Sequence, residues 1–180
     1  MSEMLSIGSK APAFSLPGVD GKEYSLDSFA DKKVLVVIFS CNHCPYVQAY
    51  EDRMVAIQRD YETKGVTLVA INSNETNNYP TDSFEHMVER AKERGFNFPY
   101  LRDETQEIAD AYGAERTPHL FVFNENRELA YIGAIDDNWK EPDQVKKQYL
   151  RDALDALLEG REIVEKETYA IGCTIKWHSE

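Results

Sequence analysis

The apolar residues of this chain fall into two kinds of pattern. Residues 34–39 and 66–71 are short, almost wholly apolar and rich in β-branched side chains, which suits strands covered on both faces. Over 46–64 the apolar positions Val47, Tyr50, Met54, Ile57 and Tyr61 recur at helical spacing, and Gly65 supplies a stop. Upstream, 14–16 and 23–26 are short extended pieces with Gly18-Val19-Asp20-Gly21 turning between them, a hairpin pattern. Downstream, a polar loop over 72–81 gives way to Asp82 with Glu85 three residues on, a helix-start signal. Phe84, Met87, Val88 and Ala91 give that helix one apolar face, and Gly95 ends it.

The remaining pattern is shorter-ranged. Residues 98–101 predict a small strand and 106–112 a short helix stopped by Gly113. Residues 120–123 and 129–132 predict two strands joined by the polar turn 124–127, hence antiparallel neighbours. A final amphipathic helix is expected over 144–159, then an apolar-dotted tail over 161–180. Strands separated by helices call for a parallel start, and the hairpin adds an antiparallel edge. The expected architecture is therefore an α/β layered sandwich with a mixed sheet, one domain over 1–180 with a hairpin leader in 1–33.

Composition narrows the function classes. The 180 residues are 42% hydrophobic and 29% charged, as in ordinary globular proteins. With 32 acidic against 20 basic residues the net charge is −12. Nucleic acid and anionic membrane surfaces carry the same sign and are disfavoured as partners. The N-terminus does not pattern as a secretory signal, and no apolar run approaches the ~20 residues a membrane helix needs. Three cysteines do not make a disulfide framework for a chain of this size. The expected compartment is the cytoplasm, where a close cysteine pair points to catalysis or metal binding.

That pair lies in Ser40-Cys41-Asn42-His43-Cys44-Pro45-Tyr46, where the first apolar strand meets the first helix. A C-x-x-C at such a junction suits thiol–disulfide exchange, because the partial positive charge of a helix start stabilises a thiolate. A second reading is a zinc site. Cys41, Cys44, Cys173 and His178 offer four ligands of the right type, although the second pair sits in a terminal tail.

The C-x-x-C, Thr117-Pro118 just before the 120–123 strand, and the hairpin-plus-helix ending together resemble the thioredoxin-fold superfamily. The leader Ile7-Gly8-Ser9-Lys10-Ala11-Pro12-Ala13-Phe14-Ser15-Leu16 and the insert before Thr117-Pro118 are similar to its redoxin branch, which includes peroxiredoxins and thiol oxidoreductases. The Asp136-Asp137-Asn138 loop and the tail 172–177 resemble a peroxiredoxin-like bacterial subgroup within it. The resemblance implies a three-layer thioredoxin-like sandwich and a thiol–disulfide oxidoreductase that needs no cofactor, with protein or small-molecule thiols and disulfides as partners. It makes Cys41 the attacking thiol and the more exposed of the pair. Cys44 becomes the buried resolving thiol, and His43 a cation that favours the thiolate. It makes Pro118 cis, with the Thr117 backbone pairing with a bound peptide.

Three departures matter. Ser40 precedes the pair where thioredoxin has tryptophan. Leu35 stands where thioredoxin has a buried acid, leaving Glu51 and Asp136 as substitute bases for Cys44. The peroxiredoxin pattern P-x-x-x-[TS]-x-x-C fails in both registers, at Val34 and Ile38 for Cys41 and at Val37 and Cys41 for Cys44. Thiol peroxidase activity is therefore the alternative, not the first reading. Cys173 either packs as a small apolar residue or folds back as a further redox thiol. The loop aspartates 136 and 137 read as a solvated turn.

Overall fold

The computed structural model describes residues 2–178. Its centre is β3 (Val34–Ser40), every residue of which is buried. Because successive strand side chains point to opposite faces, one apolar run feeds two cores. Val34, Val36 and Ile38 pack into one cluster, and Leu35, Val37 and Phe39 into the other. On the parallel side β3 pairs with β4 (Val66–Asn72), Ser40 opposite Asn72. On the other side it runs antiparallel to β7 (His119–Phe123). With β5 (Tyr100–Arg102) and β8 (Leu129–Gly133) at the edges, the sheet order is β5-β4-β3-β7-β8.

Helices cover both faces, which gives the expected three layers. Over the first core lie α1 (Pro45–Tyr61), α2 (Phe84–Glu93) and α4 (Tyr149–Leu158), contributing Tyr50, Met54, Met87, Leu150 and Leu154. Over the second lie α3 (Glu107–Tyr112) and the leader hairpin of β1 (Ser15–Pro17) and β2 (Glu23–Ser25), contributing Tyr112, Phe14 and Leu16. Each side chain of this size taken wholly from water contributes roughly 1.5–3 kcal/mol.

Two elements differ from the sequence pattern. The last helix begins at Tyr149, not near residue 144. Pro142–Gln144 form a separate 3-10 turn, and Val145 is extended. Asp137 accounts for the break: its carboxylate accepts the Lys146 amide and its own amide donates to the Lys147 carbonyl. The segment 145–148 is thus held by a neighbouring loop rather than wound on the helix. The second difference is the tail, which is not a loose appendage. Cys173–Thr174 form β9, antiparallel to β6 (Arg116–Thr117).

Both carboxylates expected to serve Cys44 are committed elsewhere. Glu51, fully buried on α1, receives Arg90 from α2 through Nε at 3.0 Å and Nη2 at 2.5 Å. Asp136 is buried, not solvated. It accepts from the Tyr50 hydroxyl at 2.8 Å and from Arg53 Nη1 at 2.8 Å. Asp137 is exposed, as the sequence pattern suggests.

Arg94 Nε lies 3.6 Å from the same carboxylate, so Glu51 keeps one cation when Arg90 is lost. Removing every partner of a buried charge costs about 3–5 kcal/mol. The double variant Arg90→Ala/Arg94→Ala is accordingly expected to lower the unfolding free energy by about 3 kcal/mol, and Arg90→Ala alone by less. Denaturant titration measures this, and an unchanged midpoint in the double variant would show that Glu51 needs no partner at that position.

Candidate active site

β3 ends at Ser40 and α1 begins at Pro45, so Cys41 to Cys44 form the joint between them. Cys44 is the N-cap residue in extended conformation, and Pro45 at the first helical position has the backbone angle a helix start needs. Both sulfurs are enclosed, Cys41 at 1% and Cys44 at 0% exposure, so the expected more open Cys41 is not found. Across from them stands Thr117, whose peptide bond to Pro118 is cis. Its hydroxyl lies 3.6 Å from Cys41 Sγ, and its carbonyl oxygen lies 3.5 Å from Cys44 Sγ.

Cys44 caps α1 by position, although its sulfur makes no cap hydrogen bond. The Cys41 thiol hydrogen-bonds to the Cys44 sulfur, the largest influence drawing Cys44 down to about 4 against the opposing effect of burial. The Cys173 thiol and the amides of Val47 and Cys173 add to it. Cys41 is pushed well above the usual thiol range, first by its hydrogen bond to the Cys44 sulfur, then by burial and by the Asp82 carboxylate. The two shifts run in opposite directions: a thiolate is favoured at Cys44 and resisted at Cys41.

Asp82 is the residue that the sequence pattern misassigns. The cap of α2 is Ser83, whose hydroxyl accepts the His86 amide. Asp82 itself is fully buried and turned toward the cysteine loop. Its carboxylate accepts the Asn42 amide at 2.6 Å, the Asn74 side-chain amide at 3.0 Å and His43 Nδ1. Asn42 is fixed further by Tyr100, whose hydroxyl donates to its side-chain oxygen at 2.8 Å, and by Gln48, which donates to its carbonyl at 2.8 Å. His43 is thus not an isolated cation beside the thiols. It is paired with a buried anion and stacked on Tyr79 at 5.6 Å between ring centroids.

Cys41, His43 and Asp82 bring a sulfur, a ring nitrogen and a carboxylate oxygen within 4.8 Å of one another. These are donor types that zinc accepts, but the carboxylate is already taken up by its hydrogen bonds. The four-ligand set of Cys41, Cys44, Cys173 and His178 is not assembled among the described residues. His178 is drawn away by the Glu104 carbonyl, 3.0 Å from its Nε2, and by Gln106, which accepts its amide. Cys173 does reach the pair, packing against Cys41, Cys44 and Val47. His119, which the sequence pattern does not single out, lies just past Pro118. It is buried, with Nδ1 accepting the Glu115 amide at 3.2 Å, and burial draws it down to about 4.

Comparison with known proteins gives a consistent picture. A family model described as Redoxin matches residues 6–149. The crystal structure of an uncharacterized conserved protein from Geobacillus kaustophilus superposes with a TM-score of 0.92 at 44% identity, covering 99% of this chain and 96% of that one. Thiol-disulfide oxidoreductase ResA of Geobacillus thermodenitrificans is 28% identical over 71% of this chain and 69% of its own length. A Mycobacterium tuberculosis protein named "Putative peroxiredoxin MT2597" is 29% identical over 76% of this chain and 82% of its own length. No helix among the described residues is long and apolar enough to cross a membrane.

Two expectations follow from the buried groups. Asp82→Ala leaves the Asn42 amide and the Asn74 side chain without an acceptor, so unfolding free energy should fall by about 3 kcal/mol in denaturant. An unchanged value would show that the carboxylate does not hold the loop. His119 is neutral in the fold but takes up a proton when unfolded below about pH 6.5, so its contribution is present above that pH. It is lost as pH falls toward 4, by roughly 3 kcal/mol in total. Unfolding curves of wild type and His119→Asn should therefore diverge in slope between pH 6.5 and 4; parallel curves would refute the assignment.

Proposed function

The chain belongs to the Redoxin family, and on that premise we propose that it is a thiol–disulfide oxidoreductase working through Cys41 and Cys44. The observation that carries this reading is the pair's arrangement: two enclosed cysteines at the joint between a strand and a helix start, facing the cis Thr117-Pro118 turn. A protonated Cys41 beside an ionised Cys44 supplies the base that neither Glu51 nor Asp136 can.

The exchange balances with these groups alone. Cys41 attacks one sulfur of a substrate disulfide while its proton passes to Cys44. A Cys41–substrate disulfide forms, and the other half of the substrate leaves as a thiolate. Cys44 then attacks the Cys41 sulfur and yields that proton to the second leaving sulfur. The products are a Cys41–Cys44 disulfide and a reduced substrate, two electrons having passed from the protein. Run backwards, the same steps oxidise a dithiol. Thr117 and Pro118 form the wall that faces the two sulfurs, with the Thr117 hydroxyl beside Cys41; the Thr117 backbone itself is paired with Cys173. His43 and Asp82 hold the intervening loop, so they are positioning residues.

The competing reading is peroxide reduction, favoured by the name of the mycobacterial relative. Here the hydroxyl in contact with the Cys41 sulfur is that of Thr117, which comes from another strand rather than from the turn before the cysteine. Insulin reduction and peroxide consumption, assayed side by side, separate the two. Wild type is expected to reduce insulin disulfides, with Cys41→Ser losing at least 100-fold. Peroxide consumption that depends on Cys41, without insulin reduction, would replace this reading with the peroxidase one.

A further inference from the structure

The backbone edge at Thr117 is already occupied. β9 pairs with β6 in antiparallel register, Cys173 opposite Thr117 and Thr174 opposite Arg116. The approach is close: a Cβ on Gly172 would lie 2.0 Å from the Thr117 carbonyl oxygen. Arg116 Nη1 also donates to the Gly172 carbonyl at 3.2 Å. The segment is anchored on both sides of this contact. Before it, the Thr168 amide donates to the Ile132 carbonyl at 3.0 Å. After it, the Ile175 amide donates to Glu115 at 3.0 Å, and the Glu75 amide donates to Lys176 at 2.9 Å. Residues 169–174 thus form a strap across the mouth of the site.

The strap brings a third sulfur with it. Cys173 packs against the cysteine pair, its thiol and amide both next to the Cys44 sulfur. Of the three sulfurs it is the one in contact with solvent, being half-buried where Cys41 and Cys44 are enclosed. Cys44 therefore has a thiol on either side of it, Cys41 inward and Cys173 outward.

We propose that the strap is a built-in exchange partner, and that Cys173 carries the disulfide between the enclosed pair and an external thiol. The inference rests on the reading of Cys41 and Cys44 as an exchange pair. Burial holds the Cys173 thiol up, to about 11, so after the pair is oxidised Cys173 attacks the Cys44 sulfur as it gives up its proton. The Cys44–Cys173 bond forms, the Cys41–Cys44 bond breaks, and Cys41 leaves as a thiolate that takes up the proton Cys173 lost. No electrons are gained or lost in this step. The disulfide has moved from two enclosed sulfurs to one that solvent reaches. A thiol of a polypeptide or of a small molecule then attacks Cys173, releasing Cys44. Because the strap holds the Thr117 edge, such a partner meets Cys173 without pairing to Thr117.

The test is a disulfide map. Reduced protein at low concentration is oxidised with diamide, its free thiols are blocked with N-ethylmaleimide in acid, and unreduced peptides are read by mass spectrometry. Wild type should give a Cys44–Cys173 link with Cys41 blocked, alongside a Cys41–Cys44 link. Cys41→Ser should give Cys44–Cys173 as its intramolecular disulfide. Gly172→Val, which cannot seat the strap, should lose that link at least tenfold while keeping Cys41–Cys44. Wild type with Cys41–Cys44 alone, together with Cys41→Ser lacking any Cys44–Cys173 link, would overturn the relay and leave the exchange pair intact. Wild type forming no link between Cys41 and Cys44 would instead remove the reading on which the relay rests.

Discussion

A buried carboxylate with no room for error shapes the cysteine loop. Asp82 lies under the joint between β3 and α1 and accepts from Asn42, His43 and Asn74. A carboxylate taken out of water is tolerated only when its lone pairs are filled. The residues that fill them come from the ends of β3 and β4 and from the start of the insert. The site is therefore held where two parallel strands finish side by side, Ser40 opposite Asn72. The charge has a second effect, since it faces Cys41 and resists a negative charge there.

The sulfur chemistry follows from that asymmetry. Cys41 has an anion nearby, whereas Cys44 has the helix start and two thiols around it. A C-x-x-C read as a motif assigns the helix-start stabilisation to the first cysteine. In this loop the second cysteine is the N-cap residue, and the Val47 amide of the first turn is a minor influence on its sulfur. The proposed exchange passes its proton between Cys41 and Cys44, so it does not draw on a buried acid at the position Leu35 occupies.

The strap changes what a partner would meet. In an open site the Thr117 backbone is free for an incoming strand. Here it is paired with Cys173, and Gly172 is packed so closely that no larger side chain fits. Anchors at Thr168 and Ile175 on either side make the strap part of the fold. The rim beyond it is aromatic, with Tyr79 over His43 and Tyr46 against Trp139 at 4.3 Å between centroids.

Much of this was legible in the amino-acid order because it depends on neighbours in the chain. The apolar alternation of residues 34–39 dictates a doubly covered strand, the stripe from Val47 to Tyr61 dictates α1, and the two cysteines are placed at their junction by spacing alone. Thr117-Pro118 and the hairpin beyond it fix the family of folds. Other features were decided by residues far apart in sequence. Asp82 looks like a local helix cap and is a partner of Asn42 and His43; Glu51 and Asp136 look like free bases and are bound to Arg90 and Arg53. The start of α4 is set by Asp137, and β9 by the open edge of β6. Periodicity reports which face of an element meets water. It carries no record of which charge, or which strand edge, arrives from elsewhere to satisfy a polar group once water is gone.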